Sequence, residues 1–404
     1  MRLAILLVFL LPKASFGVAL TEDEAISLAV ESSALRDATE GTVGQARAEW
    51  ERARRWPNPV AVYQREQTDG EDDVTENYAW LSQTIDVAGR RSKRGEAAAE
   101  RIDAATLEGE ALRAGRRLET QERFVEALLS ERRSGALRSW LENGARIASI
   151  VSKREKAGEV SGYDRRRIER EQESAKARVA AEDAVADRAR ERLRALVGSD
   201  TAAGTWTTVS GEILPSTTLP AVDQLLEAVE RRPDLEALRA DVRASELDST
   251  AAGRWWLPDV TLGAGVKAVD VDSEKLTGPF LTFSVPLPVL DQGQADALAA
   301  TSRGRLARGR YRLLHEAAVG EVRGLLGEAT SLIAAAETFR GNALRASNAL
   351  VTTAERAYDA GEMEILEVLD AHRSALEAEL QALDLEASAR RAVIELSRSS
   401  GVAL

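Results

Sequence analysis

The chain has 404 residues, a formal net charge of −12, no cysteine, and a 44% hydrophobic fraction of which aromatics supply only 4% of all residues. The acidic balance argues against nucleic acid as a partner. The missing cysteine excludes disulfides, thiolate metal sites, a catalytic thiol and a lipoprotein-type N-terminal anchor. Few aromatics and much alanine suit long helices packed closely together rather than an ordinary globular core.

In chain order, residues 1–19 read as a secretory signal: Arg2, an apolar run from Leu3 to Leu11, then small residues ending at Ala19. No later segment approaches the roughly 18 apolar residues of a membrane-spanning helix, so membrane residence requires a β-barrel. Thr21-Glu22-Asp23-Glu24 is a capping box opening a short helix, and a second helix from about Leu35 stops at Trp56-Pro57-Asn58-Pro59. Two strands are expected at 60–68 and 74–86, joined by the acidic turn Asp69–Asp73. From Arg90 to Lys156 there is no proline, and apolar residues recur at three and four. Such a helix is roughly 100 Å long, more than a compact globule accommodates. It turns at Ala157–Asp164 and returns to about Val197, so residues 90–197 form a helical hairpin.

The order then repeats. Residues 20–200 form one half, 201–220 a Thr-, Ser- and Pro-marked linker, and 221–404 the second half. In the second half, helices at 222–231 and 234–254 lead to strands at 260–269 and 280–287 and a helical hairpin at 294–400. Specific residues recur in the same order: Trp56-Pro57-Asn58 in Trp256-Leu257-Pro258-Asp259, and Ala157-Gly158-Glu159-Val160 in Ala360-Gly361-Glu362-Met363. A repeat this large is far above the roughly 20–50 residues of solenoid units and indicates two pseudo-symmetric halves of one architecture. Glycines at 304, 309, 320, 324, 327 and 341 weaken the second long helix.

Val260, Leu262, Ala264, Val266 and Ala268 alternate with Thr261, Gly263, Gly265 and Lys267, and Leu281 and Phe283 with Thr282 and Ser284. A half-buried soluble ribbon has the same period. The clustering of Trp50, Trp56, Trp80, Trp255 and Trp256 in or just before the strands favours a membrane, as aromatic girdles do. Four strands cannot close a barrel, so a spanning reading requires copies of the chain to share one.

No enzyme chemistry is visible. His315 and His372 stand alone on helices without metal-ligand spacing, and a surface location is the simplest reading of each. No phosphate loop or nucleophile elbow is present. Neither a metal nor another cofactor is expected.

With duplication, strand hairpins, long helices and Ala-Gly-Glu turns in place, the chain resembles the TolC-like outer membrane efflux proteins, and among them those of heavy-metal (cation) systems. Gln83–Arg91 and Pro286–Gly293 are similar to that group's strand-to-helix junctions. The resemblance implies a mainly α fold with a β-barrel part: a helical-hairpin tunnel plus four membrane strands per chain in a shared trimeric 12-stranded barrel. It implies an exit duct in the outer membrane of a Gram-negative bacterium, with the tunnel in the periplasm. A periplasmic adaptor and an inner-membrane pump of the resistance-nodulation-division type are the implied partners. Glu367 and Asp370 fall on acidic positions that ring the periplasmic aperture, and Tyr358 and Asp164 on a closed-state network. Gly158, Glu159, Val160 and Ser161 in the first turn, with Gly361, Glu362 and Met363 in the second, fall where an adaptor docks. A basic gate residue of some members would fall at Met363, leaving Arg165, Arg166 and Arg167 as the nearby substitutes. A solvated helix face is the competing reading of Glu367 and Asp370. The competing reading of the whole is a soluble periplasmic coiled-coil adaptor or scaffold, which would carry one helical hairpin rather than two.

Overall fold

The computed structural model describes residues 19–68, 73–158, 161–198, 206–214, 218–271 and 274–404. The expected signal segment up to residue 18, most of the acidic turn, parts of the linker, and Glu159 and Val160 lie outside them. The elements are β1 (Ala19–Leu20), α1 (Glu22–Val30), α2 (Ser33–Arg54), β2 (Val60–Thr68), β3 (Val74–Ile85), α3 (Arg90–Lys156) and α4 (Gly162–Val197). There follow β4 (Thr208–Val209), α5 (Val222–Glu230), α6 (Pro233–Gly253), β5 (Val260–Val271), β6 (Glu274–Ser284), α7 (Gln294–Phe339), α8 (Arg345–Asp359) and α9 (Ile365–Ser400). A short π-helical stretch, Arg340–Leu344, joins α7 to α8, so the glycines of α7 interrupt nothing and only Gly341 sits in irregular helix. No helix among the described residues is long and apolar enough to cross a membrane.

The duplication reaches the backbone. Gly89 and Gly293 precede the long helices, Gly158 and Gly361 turn them, and Gly198 and Gly401 end the return helices. All six have positive φ, from 67° to 92°, where a Cβ is strained, and each pair lies about 200 residues apart.

The chain forms two compact units, each drawing on both sequence halves: 1–35, 113–226 and 320–404 in the first, 36–112 and 227–319 in the second. The second unit holds an antiparallel four-stranded sheet, in order β2-β3-β5-β6. β6 begins earlier and ends earlier than the alternation predicts, at Ser284 rather than 287. Pro286 and Pro288 offer no N–H to a ladder. Pro279 is tolerated inside β6 because that strand is an edge.

The register places Tyr63, Leu81, Leu262, Ala264, Val266, Leu281 and Phe283 on one face, all exposed. Val62, Tyr78, Trp80, Gly263, Gly265, Lys267 and Phe280 share the other, where side chains shelter one another. Trp80 is therefore on the face opposite Leu81 and Leu281; cross-strand pairing decides this, and residue type does not. At the sheet's end, Asp86 accepts the backbone N–H groups of Arg90 and Arg91 at 3.1 and 2.6 Å, satisfying the open start of α3.

The first unit is centred on Phe124, Leu128, Leu193, Trp206 and Ile394, packed around the parallel pair β1–β4. The Thr21–Glu24 capping box forms as expected. Arg390, only 4% exposed, donates to Glu22 Oε1 at 2.6 Å, which also accepts from Gln121 at 2.9 Å. This pair, with Arg390 buried and Glu22 half-buried, ties α1 to α3 and α9.

Candidate functional site

The two helical turns lie together in the first unit. In the first, α3 ends with Gly158 N–H donating to Glu155 O at 2.9 Å, and Ser161 caps α4 by accepting from the Asp164 N–H. The Ser161 hydroxyl donates back to Asp164 Oδ2 at 2.7 Å. In the second, Gly361 N–H donates to Tyr358 O at 3.0 Å and Glu362 N–H to Ala357 O at 2.9 Å. These close the helix end through a left-handed glycine. Glu367 accepts the Glu364 N–H at 3.1 Å in a capping box that opens α9. Asp164 and Glu367 thus hold the same local position, the third residue of a return helix. Neither Gly158 nor Gly361 has any atom within 4 Å of a built Cβ, so φ alone requires glycine there.

A shared apolar cluster joins the turns: Ile147 and Val151 from α3, Ile168 from α4, Ala354 and Tyr358 from α8, and Ile365 and Val368 from α9. Met363, expected at the contact surface, packs partly buried against this cluster. Gly158, Ser161, Gly361 and Glu362 are exposed.

Tyr358 is 6% exposed, and the Arg154 guanidinium lies 4.4 Å above its ring. Its buried hydroxyl has no hydrogen-bond partner, so no bond joins it to Asp164. Arg165 is engaged with Glu155 at 2.9 Å and Glu169 at 2.5 Å. The basic residue that does meet Tyr358 is Arg154, which the sequence reading missed; its place in the last turn of α3 was the only available signal. Glu367 and Asp370 are both exposed.

His372 departs from expectation. It is buried, 8% exposed, among Trp140, Ile147 and Leu369, with Nε2 3.0 Å from Glu355 Oε1 but outside hydrogen-bonding geometry. Packing of α9 against α3 and α4 encloses it. Among the described residues no group of three or more His, Asp or Glu side chains could hold a metal ion.

The turns also differ in charge. The exposed Lys153, Lys156, Arg166 and Arg167 stand around the first, and the exposed Asp359, Glu362, Glu364 and Asp370 around the second. Arg167 and Asp370 occupy equivalent places in the duplication with opposite sign.

Two strand hairpins, each followed by a long helical hairpin, with both helical turns packed together, are the arrangement by which this chain resembles the TolC-like outer membrane efflux channels. Residues 225–402 match the family described as outer membrane efflux protein. The cobalt-zinc-cadmium resistance protein CzcC of Cupriavidus metallidurans is 27% identical over 371 residues, covering 90% of this chain and 84% of CzcC. Among solved structures, CusC superposes with a TM-score of 0.76 at 21% identity over 96% of this chain and 94% of its own. The Campylobacter jejuni CmeC outer membrane channel does so at 0.75 and 16% identity, covering 94% and 85%. The two structures share the fold.

Proposed function

We propose that three copies of this chain close a 12-stranded barrel in the outer membrane of a Gram-negative bacterium and continue it as a periplasmic helical tunnel. The observation that carries this reading is the four-stranded sheet with open edges at β2 and β6 and an exposed apolar face. An open edge is untenable in lipid, and pairing β6 of one copy with β2 of the next removes it. A periplasmic adaptor docks at the two turns, and a pump of the resistance-nodulation-division type delivers the solute. Glu367 and Asp370 line the aperture. Exposed carboxylates repeated around a narrow opening favour cations. The name of the CzcC relative, with its cobalt, zinc and cadmium, supports heavy-metal cations as the exported class.

Fractionation tests the reading. Outer-membrane protein extracted only by detergent, and migrating as a trimer, is the expected result. Release by osmotic shock as a soluble species would sink it and favour a periplasmic scaffold. For the substrate, deletion should sensitise the cell to cobalt, zinc and cadmium salts, and an unchanged metal tolerance would remove cations.

A further inference from the structure

The apolar band on the exposed face of the sheet is too short for a bilayer. It begins at the Leu262–Phe283 pair, continues through Leu81 and Leu281, and ends with Tyr63 and Val266. The next row, with Arg65, Asn77 and Thr277, is polar. The strand from Leu262 to Val266 advances only roughly 13 Å, at about 3.3 Å per residue. A barrel in an outer membrane presents an apolar band about 25 Å tall. With polar side chains closing one end, the missing height lies at the other, where the strands meet the helices.

There the surface stays apolar after the ladder stops. Leu287, Val289 and Leu290 follow β6 at 79%, 71% and 92% exposure, and Trp56 and Trp256 precede β2 and β5 at 51% and 65%. Prolines at 57, 59, 258, 286 and 288 have no N–H, and the Val289 N–H donates to Leu287 O at 2.8 Å. The irregular backbone therefore brings few unpaired donors to this level. Basic residues surround it. α3 opens with Arg90, Arg91, Lys93 and Arg94 and no acid in its first turn, the reverse of what a helix N-terminus favours. Arg90, Lys93 and Arg94 are paired with Asp259, Glu96 and Asp296. Arg91 instead lies 4.0 Å over the Trp56 ring and donates to Arg54 O at 2.6 Å. Arg54 and Arg55 end α2 exposed, and among the described residues no carboxylate pairs with either.

We infer that the strand-to-helix junctions are a binding surface for anionic phospholipid in the inner leaflet of the outer membrane. Trp56, Trp256 and the loop Leu287–Leu290 occupy the headgroup–acyl boundary, and Arg54 and Arg55 hold the lipid phosphates. The inference rests on the barrel reading and needs no particular contact between copies. It places Leu262 and Phe283 near the middle of the apolar band instead of at its rim. Tryptophan suits the boundary because its ring is apolar and its N–H polar. A guanidinium offers phosphate two parallel N–H donors, so arginines free of carboxylates bind it best.

The test uses the full chain in vesicles of phosphatidylcholine and phosphatidylglycerol, where the cysteine-free sequence makes any introduced thiol unique. Bimane is attached at Leu281→Cys or Leu290→Cys and quenched either by phospholipid bearing a nitroxide high on its acyl chain or by iodide from the water. Expected is quenching by lipid at both positions, with little by iodide. Strong iodide quenching at Leu290 would place the loop in water, and protection from both quenchers would place it beneath a neighbouring copy; either overturns the inference. Loss of lipid quenching at Leu281 as well overturns the barrel reading itself. Val289→Cys replaces Leu290→Cys if the latter does not assemble. For the headgroup, nitroxide phosphatidylglycerol and nitroxide phosphatidylcholine are compared at Leu290. The parent should favour phosphatidylglycerol, and Arg54→Gln with Arg55→Gln should lower that preference by about fivefold per charge removed. A parent without preference, or a preference unchanged in the double variant, overturns the phosphate assignment.

Discussion

The guanidinium of Arg154 lies 4.4 Å above the ring of Tyr358, clamping the end of α3 to the end of α8 where both helices turn. A cation over an aromatic face contributes roughly 0.5–2 kcal/mol, more as water is excluded. The buried Tyr358 hydroxyl has no partner and so adds nothing to the clamp. Tyr358→Phe should leave assembly and closed-state conductance unchanged. Tyr358→Ala should lower the apparent melting temperature, in keeping with the roughly 3–5 kcal/mol lost when a buried aromatic is truncated. A channel that opens on Tyr358→Phe would show that the hydroxyl holds the gate after all.

Glu367 and Asp370 are separable. Glu367 caps α9, whereas Asp370 has no such local task. Gln retains the capping geometry, so Glu367→Gln combined with Asp370→Asn should assemble normally and lose cation preference and block by multivalent cations. The parental preference should weaken with salt, because exposed charges are screened over about 8–10 Å at physiological ionic strength. Unaltered selectivity in the double variant would return both residues to an ordinary solvated helix face.

Leu262 and Phe283 are paired neighbours on the exposed apolar face. Replacing either with Arg should cut the yield of membrane-inserted trimer, since a charge facing mid-bilayer lipid costs about 2–4 kcal/mol. Normal trimer from both variants would remove this face from lipid.

At the turns, Gly158 and Gly361 have φ of 80° and 76° with open space around them. Bulky charged residues there should abolish efflux while sparing trimer and insertion, at a backbone cost of roughly 1–2 kcal/mol each. A photo-crosslinker at exposed Glu362 should trap the adaptor during active efflux. Met363 is a poor site for the probe because it packs against the apolar cluster. Absence of any adduct at Glu362 would contradict docking.

Burial holds the Glu386 carboxyl above its ordinary value of 4.5, an effect that the adjacent Arg340 only partly offsets. A carboxyl raised in the folded state stabilises the fold while protonated. That contribution is lost as pH rises from the unfolded value through the folded one. Glu386→Gln should therefore flatten the decline of apparent melting temperature between about pH 4.5 and neutrality. An unchanged slope would assign the decline to other groups.

Much of the fold was legible from local chemistry. Thr21 with Glu24, the proline-free run from Arg90 to Lys156 and the Trp56-Pro57-Asn58-Pro59 stop each act within a few residues, and the elements begin and end near them. The six left-handed glycines have the same origin, since a positive φ is set at one residue. Alternation in Val260–Ala268 likewise marked one face as apolar before any partner strand was known. What the sequence by itself could not determine were the relations that join residues far apart along it. The side of the sheet that Trp80 occupies depends on register with Gly265, nearly two hundred residues away. Arg154 over Tyr358, His372 enclosed beneath Trp140, and Glu22 beneath Arg390 all follow from helices packing across separations longer still. Periodicity states that a side chain has a buried face; only tertiary packing decides what lies against it, because many partners of similar size and polarity satisfy the same pattern.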